Sequence, residues 1–206
     1  MKYLNQLSSG RSTRCLLFLT VLGLLTLTSI RSYGQAWPAC NPCPTTIPPT
    51  TVAWTSGSVV VSLQLCPTGP PCTVKICYCF RETSPGNQDY TVSSIMIDGC
   101  PGCYPNLDSV ISIVFTWVRV NNPMGFKCKL PCPFNTIWAE IVASCWSVTV
   151  VNGITVYQPC SGLAYCNTPW TVCCDPTTGA RTYTRGTTVM TGTCTITPNC
   201  TIITCP

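Results

Sequence analysis

The segment 135–160 constrains the fold of this chain most strongly. An Asn152-Gly153 pair lies between two runs of β-branched residues. Such a pair is the strongest short-range signal of a β-hairpin, because its type I′ turn needs positive φ at both central residues. A two-residue turn also fixes the pairing, so Val151 should face Ile154. We therefore expect a long hairpin at the centre of a sheet.

The alternation upstream of this turn predicts which face of the strand is buried. Apolar or small residues recur at every second position of one face, which we expect to be the core: Ile137, Ala139, Ile141, Ala143 and Cys145. Trp138 and Glu140 share the opposite face. After Cys145 the apolar alternation shifts by one residue, and such a slip inverts both faces of a strand. We expect a β-bulge or a sharp twist near Cys145 and Trp146.

Residues 1–34 have the composition of a cleaved secretory signal. Basic residues precede an apolar run at 15–30, and small residues follow it. The run is shorter than the roughly 20 residues of a membrane-spanning helix, which favours cleavage over anchoring. We expect cleavage before Gln35, or after Ala36 as an alternative. The sequence thus predicts a secreted protein, extracellular or on the cell surface, with no membrane contact after cleavage.

Loss of the signal would change the net charge of the chain. The whole chain has 11 basic and 6 acidic residues and a formal charge of +5. Four of the basic residues precede residue 35, so the secreted chain would carry +1. A balance this close to neutral implies no nucleic-acid partner and no anionic membrane partner.

Cysteines are unusually frequent, with 19 in 206 residues. Cys15 lies in the signal, and an even number follows it, which in a secreted chain predicts disulfide bonds. Each bond typically contributes about 2–4 kcal/mol. The disulfide candidates are Cys40, Cys43, Cys66, Cys72, Cys77, Cys79, Cys100, Cys103, Cys128, Cys132, Cys145, Cys160, Cys166, Cys173, Cys174, Cys194, Cys200 and Cys205.

Two CxxC spacings allow other chemistry. Cys40 with Cys43, and Cys100 with Cys103, have the spacing of zinc ligands, and the second pair also has that of a thioredoxin-like redox site. Export favours disulfides over zinc, and no βαβ alternation accompanies the second pair. No cofactor and no metal is expected.

The remaining pattern predicts a mainly β fold, with α+β as a possibility. We expect a disulfide-dense antiparallel sheet or sandwich over 56–206, preceded by an extended Pro/Thr-rich arm at 35–55. Alternating runs predict further strands near 59–65, 73–81 and 90–97. The 107–120 segment is ambiguous, since its polar spacing favours a helix capped by Asp108, whereas its β-branched content favours a strand.

The residue types present exclude most catalytic arrangements. The chain has no histidine and only six carboxylates, so histidine-dependent nucleophiles and histidine metal sites are ruled out. Asp98 with Glu140 would be one possible acid pair, but no spacing selects it. The sequence predicts that the protein is not an enzyme.

Exposed tryptophans on a secreted β-domain would suit stacking on sugar rings, although core packing is the usual role. Trp37 and Trp54 lie in the predicted arm, where exposure is expected. Trp138 is the best candidate within the sheet. These three are the candidate ligand-binding residues.

The signal ending in SYGQAW, the SCW in the long strand and the CC pair before a turn make the chain similar to uncharacterised cysteine-rich secreted proteins of bacteria. This resemblance implies no activity and no site. Sparse charge and a strand-rich body favour a structural subunit of a filament, coat or matrix, which self-associates through its arm or its strand edges. The alternative is a carbohydrate-binding module or adhesin with polysaccharide as its partner.

Overall fold

The computed structural model describes residues 36–45, 51–100, 106–127, 136–160, 164–194 and 199–206. The expected signal at 1–34 lies outside these residues. The described part contains one helix, α1 (Leu107–Asn121), and ten strands. The strands are β1 (Thr55–Leu63), β2 (Cys72–Ser84), β3 (Asn87–Asp98), β4 (Thr136–Ala143), β5 (Cys145–Val151), β6 (Ile154–Pro159), β7 (Tyr165–Cys174), β8 (Arg181–Arg185), β9 (Val189–Thr191) and β10 (Cys200–Ile202).

All ten strands belong to one sheet with β3 at its centre. Along one side β3 pairs with β2, and β2 pairs with β1. Along the other side the first half of β3 pairs with β4, and its second half pairs with β6. The sheet therefore divides into two branches. One contains β4 and β7 with β8 and β9, and the other contains β6, β5 and β10. The mainly β prediction is confirmed.

The expected antiparallel sheet is wrong at one junction. β3 and β4 run parallel, with Thr91 opposite Ile141, while the other pairs are antiparallel. A parallel pair needs a long crossover, and here α1 lies in the segment between the two strands. The result is a mixed sheet with a helix on one face.

The hairpin prediction is confirmed for β5 and β6, but β5 does not continue from β4 as one long strand, and the centre of the sheet is β3 and not the hairpin. Val151 pairs with Ile154 as expected, and Asn152 and Gly153 have φ of 52° and 79°. The chain bends at Ser144, one residue before the expected irregularity. The bend sends β4 and β5 to different partners, which explains why the apolar alternation shifts there.

The ambiguous 107–120 segment is a helix. Its N-cap is Asn106, whose side chain accepts a hydrogen bond from the backbone N–H of Asp108 at 2.8 Å. The predicted cap Asp108 instead lies in the first turn, where a negative charge suits the helix dipole. Asn122 ends the helix in the left-handed conformation, with φ of 48°.

The main core lies between α1 and the sheet. Five helix residues on one stripe are buried: Val110, Ile111, Val114, Phe115 and Val118. They belong to one cluster with side chains from alternate positions of the strands, among them Ile76 on β2, Tyr90 on β3 and Trp138 on β4. We call this the helix face of the sheet.

A second, smaller cluster lies on the opposite side of the sheet. Cys77, Met96, Ile154 and Val156 are buried there, and Trp37 and Cys40 pack against them. The covering segment, residues 36–45, forms no helix or strand. We call this side of the sheet the arm face.

The prediction of which face of β4 lies in the core is wrong. Trp138, Glu140 and Val142 turn towards the helix and are almost completely buried, whereas Ile137 is 42 % exposed. Ile141 is also buried, because the arm side of the strand is covered too. A strand covered on both faces does not alternate cleanly, so the sequence pattern pointed to the wrong face.

Candidate functional site

Two disulfide bonds fasten the arm to the sheet. Cys40 is bonded to Cys77 and Cys43 to Cys79, both on β2. Adjacent side chains on one strand point to opposite faces, so Cys77 and Cys79 point the same way, as predicted. Residues 36–45 are therefore part of the body of the protein. The last residue of the predicted arm, Thr55, already belongs to β1.

Hydrogen bonds add to the attachment of this segment. Lys75 Nζ donates to the carbonyl of Pro38 at 3.2 Å. Asn41 Nδ2 donates to Gln158 Oε1 at 3.0 Å. A cavity of about 170 Å³ lies beneath the segment, lined in part by Pro42 and Pro44. Its wall is mostly apolar, and it offers no cluster of ionisable groups.

The remaining bonds stabilise the sheet and its edges. Four further pairs are formed: Cys72–Cys100, Cys145–Cys194, Cys160–Cys200 and Cys166–Cys205. Cys66, Cys173 and Cys174 are also disulfide-bonded. The other three candidates, Cys103, Cys128 and Cys132, lie outside the described residues. Such a framework is typical of an oxidising, extracellular-type compartment.

Neither CxxC spacing forms a site of its own. Each of Cys40 and Cys43 has a partner on β2, and Cys100 is bonded to Cys72. A CxxC redox site needs a bond between its own two cysteines, so Cys100 and Cys103 do not form one. No group of three or more metal-ligating side chains occurs in the described part of the chain.

A buried ion pair joins the helix to the sheet. Glu140 accepts a hydrogen bond from Arg119 Nη1 at 2.7 Å and another from the hydroxyl of Tyr90. The Arg119 guanidinium lies 3.7 Å from the centre of the Trp170 ring. Burial and the nearby Glu140 carboxylate raise the pKa of Tyr90 well above its usual value. The phenol is therefore a permanent hydrogen-bond donor rather than an acid catalyst.

A similar group of side chains lies beside the arm. Arg81 Nε donates to Asp89 Oδ2 at 2.9 Å, and the guanidinium lies 4.1 Å from the centre of the Trp54 ring. Arg81 Nη1 also donates to the carbonyl of Val52 at 3.4 Å. Burial raises the pKa of Asp89, and the bond and charge of Arg81 oppose that rise. This arginine holds the chain before β1 against the sheet.

The predicted tryptophan site is not assembled. Trp138 is completely buried and contacts Phe126 edge-on at 5.2 Å between ring centres. Trp37 is partly buried on the arm face, and Trp54 is partly buried under Arg81. The expectation of an exposed ring is therefore wrong for Trp138, whereas Trp37 and Trp54 keep part of their surface exposed. In each case a neighbouring side chain or segment covers the ring, which sequence alternation could not reveal.

The carboxylate pair considered from the sequence is also not a site. Asp98 ends β3 and is exposed, whereas Glu140 is buried and bonded to Arg119. The two lie on strands that pair only at the other end of β3, over Asn87 to Thr91. They are therefore not two acids across one cleft.

A larger cleft opens where β2 and β3 meet the hairpin turn at 84–87. It has a volume of about 520 Å³ and lies between the chain at 52–55, the two strands and the loop after α1. We call it the Gln88 cleft. Its lining residues are Val52, Ala53, Thr55, Phe80, Arg81, Glu82, Gln88, Met124, Gly125, Phe126 and Lys127.

Few features of the sequence point to this cleft. Its lining comes from four separate segments, and Gln88 lies in a strand where nothing marks it as a binding residue. The only available sign was a concentration of charge in a sparsely charged chain, with Arg81, Glu82 and Asp89 within nine positions.

The comparisons with known proteins are negative. No protein-family model, no curated protein and no solved structure matches this chain. No helix in the described residues is long and apolar enough to cross a membrane.

Proposed function

We propose that this is a secreted, non-enzymatic structural protein, a subunit of an extracellular or cell-surface assembly such as a filament, coat or matrix. The signal-like composition of 1–34 and the disulfide framework support secretion. The observation that carries the structural role is the edge strand β1.

β1 is long for an edge strand and has none of the sequence features that usually protect such an edge. It has nine residues, TSGSVVVSL, with no charge and no proline, and within the described chain it pairs only with β2. Its exposed side chains include Ser58, Val60 and Ser62. A strand edge presents unpaired N–H and C=O groups, and monomeric proteins usually shield it with charge, proline or short length.

The other edges in the described sheet are shielded in these ways or are shorter than β1, since β5 extends only four residues beyond its pairing with β10. β8 begins and ends with an arginine, Arg181 and Arg185. β9 and β10 have three residues each. The contrast favours β1 as the surface that receives another strand.

The partner we propose for β1 is β1 of a second copy. An antiparallel β1–β1 pair would join two sheets about a two-fold axis, and its small, uncharged side chains would meet without repulsion. Gly57 keeps β1 close to the core, since a Cβ there would come within 2.6 Å of the Tyr78 ring.

A second contact would be needed to extend such a dimer into a chain. The β6-β5-β10 branch of the sheet, on the other side of β3, has exposed apolar side chains on β5 and β10: Val148, Val150, Val151 and Ile202. Two self-complementary surfaces on opposite sides of β3 allow open-ended growth. The arm at 35–55 is not needed for this contact, because its described part is bonded to its own sheet.

Negative-stain electron microscopy of the native protein, recovered without reductant, tests the proposal. We expect regular filaments or sheets for the native chain. Val60→Lys should disperse them, because it introduces charge in the middle of the β1 edge. Val120→Lys is the matched control, since Val120 is equally exposed (53 %, against 51 % for Val60) but lies on the helix. It should assemble normally.

Two results would contradict the proposal. Dispersed particles of the native chain would exclude the structural role. Normal assembly of Val60→Lys would exclude β1 as the contact.

A further inference from the structure

The Gln88 cleft contains a buried acceptor that has no partner. Gln88 is 4 % exposed, and its Oε1 makes no hydrogen bond. Leaving a buried polar atom unpaired costs about 1–3 kcal/mol, and native proteins rarely keep such an atom without a reason. Because Gln88 lines the cleft, a molecule bound there could donate to it.

An unpaired donor lies on the same face of the sheet as this acceptor. Gln88 is directly opposite Trp138 in the parallel pairing of β3 and β4, so their side chains share a face of the sheet. The indole N–H of Trp138 is buried and also lacks a partner. A hydroxyl group both donates and accepts, so it suits a region with unpaired groups of both kinds.

The charges of the cleft balance. The Arg81 guanidinium on its wall is paired with Asp89 at 2.9 Å. Glu82 and Lys127 contribute opposite charges, and both residues are exposed. This balance gives no preference to an anion or a cation.

The floor of the cleft is apolar. Phe80 and Phe126 lie 5.8 Å apart between ring centres in an edge-to-face contact, and Met124 lies beside them in the lining. The volume of about 520 Å³ falls in the usual range of small-molecule sites, about 300–1,000 Å³. The ligand therefore needs an apolar surface for the rings and a hydroxyl for Gln88.

We propose that the Gln88 cleft binds a neutral saccharide unit. A pyranose ring has C–H groups that pack on aromatic side chains and hydroxyls that exchange hydrogen bonds with an amide. An acidic sugar would gain only Lys127, whose charge is balanced by Glu82. This site is separate from the β1 edge, so it would add glycan binding to the proposed structural role.

Isothermal titration calorimetry of the disulfide-intact protein tests the site. The probes are four neutral hexasaccharides, built from β-1,4-glucose, α-1,4-glucose, β-1,4-xylose and β-1,4-N-acetylglucosamine. We expect saturable binding of at least one. Gln88→Met should weaken that binding about tenfold, because it removes the acceptor and keeps the side-chain length. It should leave thermal stability unchanged or raised, because the lost group had no partner.

Ser94→Ala is the matched control. Ser94 Oγ is also buried and unpaired, but Ser94 does not line the cleft. This variant should bind the saccharide like the native chain. In a heteronuclear NMR titration, the backbone amides of Gly125, Phe126 and Lys127 should shift with the same affinity, which locates the site without any substitution.

Failure of all four probes to bind would overturn the proposal and leave the cleft as a site for water. Equal binding by Gln88→Met, or shifts elsewhere in the sheet, would overturn the location. Tighter binding of short neutral peptides than of any hexasaccharide would show that the ligand is a peptide and not a saccharide. None of these results depends on whether β1 mediates assembly.

Discussion

On the helix face of the sheet, α1 buries Val114 and Phe115 against the central strands. On the arm face, residues 36–45 cover Met96 and Val156 with no helix or strand of their own. The helix satisfies its backbone internally and presents a continuous apolar stripe. The arm presents Trp37 and prolines, and two disulfides and two hydrogen bonds hold it in place.

This difference shows how one sheet can be buried on both sides by a short chain. A stripe of five buried side chains and the Arg119–Glu140 ion pair stabilise the helix layer without any covalent bond from the described part of the helix. We infer that the arm buries too little apolar surface to offset the entropy of ordering it. The disulfide bonds therefore contribute much of the free energy that holds it on the sheet. We therefore expect the helix face to be intrinsically stable and the arm face to depend on its cross-links.

The largest effect should come from removing both arm disulfides. Replacing Cys40, Cys77, Cys43 and Cys79 by alanine opens a loop with a separation of 37 residues, which should lower the free energy of unfolding by about 4 kcal/mol or more on loop entropy. The loss of packing by Cys40 on the second cluster should add to this. Chemical denaturation with oxidised protein measures the change.

Cys160→Ala with Cys200→Ala is the matched control. That bond has a separation of 40 residues and joins the chain after β6 to β10, away from the N-terminal arm. Its entropic cost should be smaller, because Cys145–Cys194 and Cys166–Cys205 still close most of the loop. When both arm bonds are removed, peroxide should oxidise Met96 rapidly, whereas the control should protect it. Equal protection of Met96 in the two proteins would mean that the arm stays in place without its bonds.

The two buried ion pairs should differ in how much their loss lowers the free energy of unfolding, and both effects should be smaller than that of the disulfides. Glu140→Gln should cost about 3 kcal/mol, since it removes the charge that Arg119 and Tyr90 both contact. Asp89→Asn should cost about 1 kcal/mol or less. At Asp89 desolvation outweighs the attraction of Arg81, so a neutral side chain loses little.

Thermal unfolding of the two isosteric variants gives the comparison. Equal losses, or a larger loss for Asp89→Asn, would show that the two pairs are equivalent despite their different surroundings.

The smallest effects concern pH. The pKa of Asp89 should lie above 3.8, because burial raises it. Its favourable contribution to folding is complete below pH 3.8 and is lost as pH rises through the raised value. The pKa of Asp175 should lie below 3.8, because the backbone N–H groups of Thr178 and Thr177 donate to its carboxylate. Its contribution is present above pH 3.8 and is lost as pH falls through the lowered value.

Carbon-13 NMR titration of the aspartate carboxyls measures both values in one sample. A pKa of Asp89 below 3.8 would mean that Arg81 outweighs desolvation, and the predicted order of the two ion-pair variants would then fail.

Local features of the fold could be predicted from the sequence. The Asn152-Gly153 turn fixes its own register, and polar spacing favoured the helix at 107–120, although the β-branched residues left a strand open. The same-face placement of Cys77 and Cys79 needed only strand alternation. Each of these depends on neighbours within about ten positions.

Features that depend on distant segments could not be predicted. The parallel pairing of β3 with β4 joins residues 50 positions apart. The burial of Trp138 depends on Phe126 and Tyr183, which cover the side of β4 that alternation assigned to solvent. The importance of Gln88 follows from an acceptor left without a partner, which is a property of the packed structure and not of any motif.

Disulfide mapping tests the two-face account most directly. Native protein, digested without reductant and analysed by mass spectrometry, should yield peptides that link Cys40 to Cys77 and Cys43 to Cys79. These peptides should come from a chain that runs as a monomer on a denaturing, non-reducing gel. A Cys40–Cys43 bond, or the same links found only in covalent dimers, would contradict an arm that covers its own sheet.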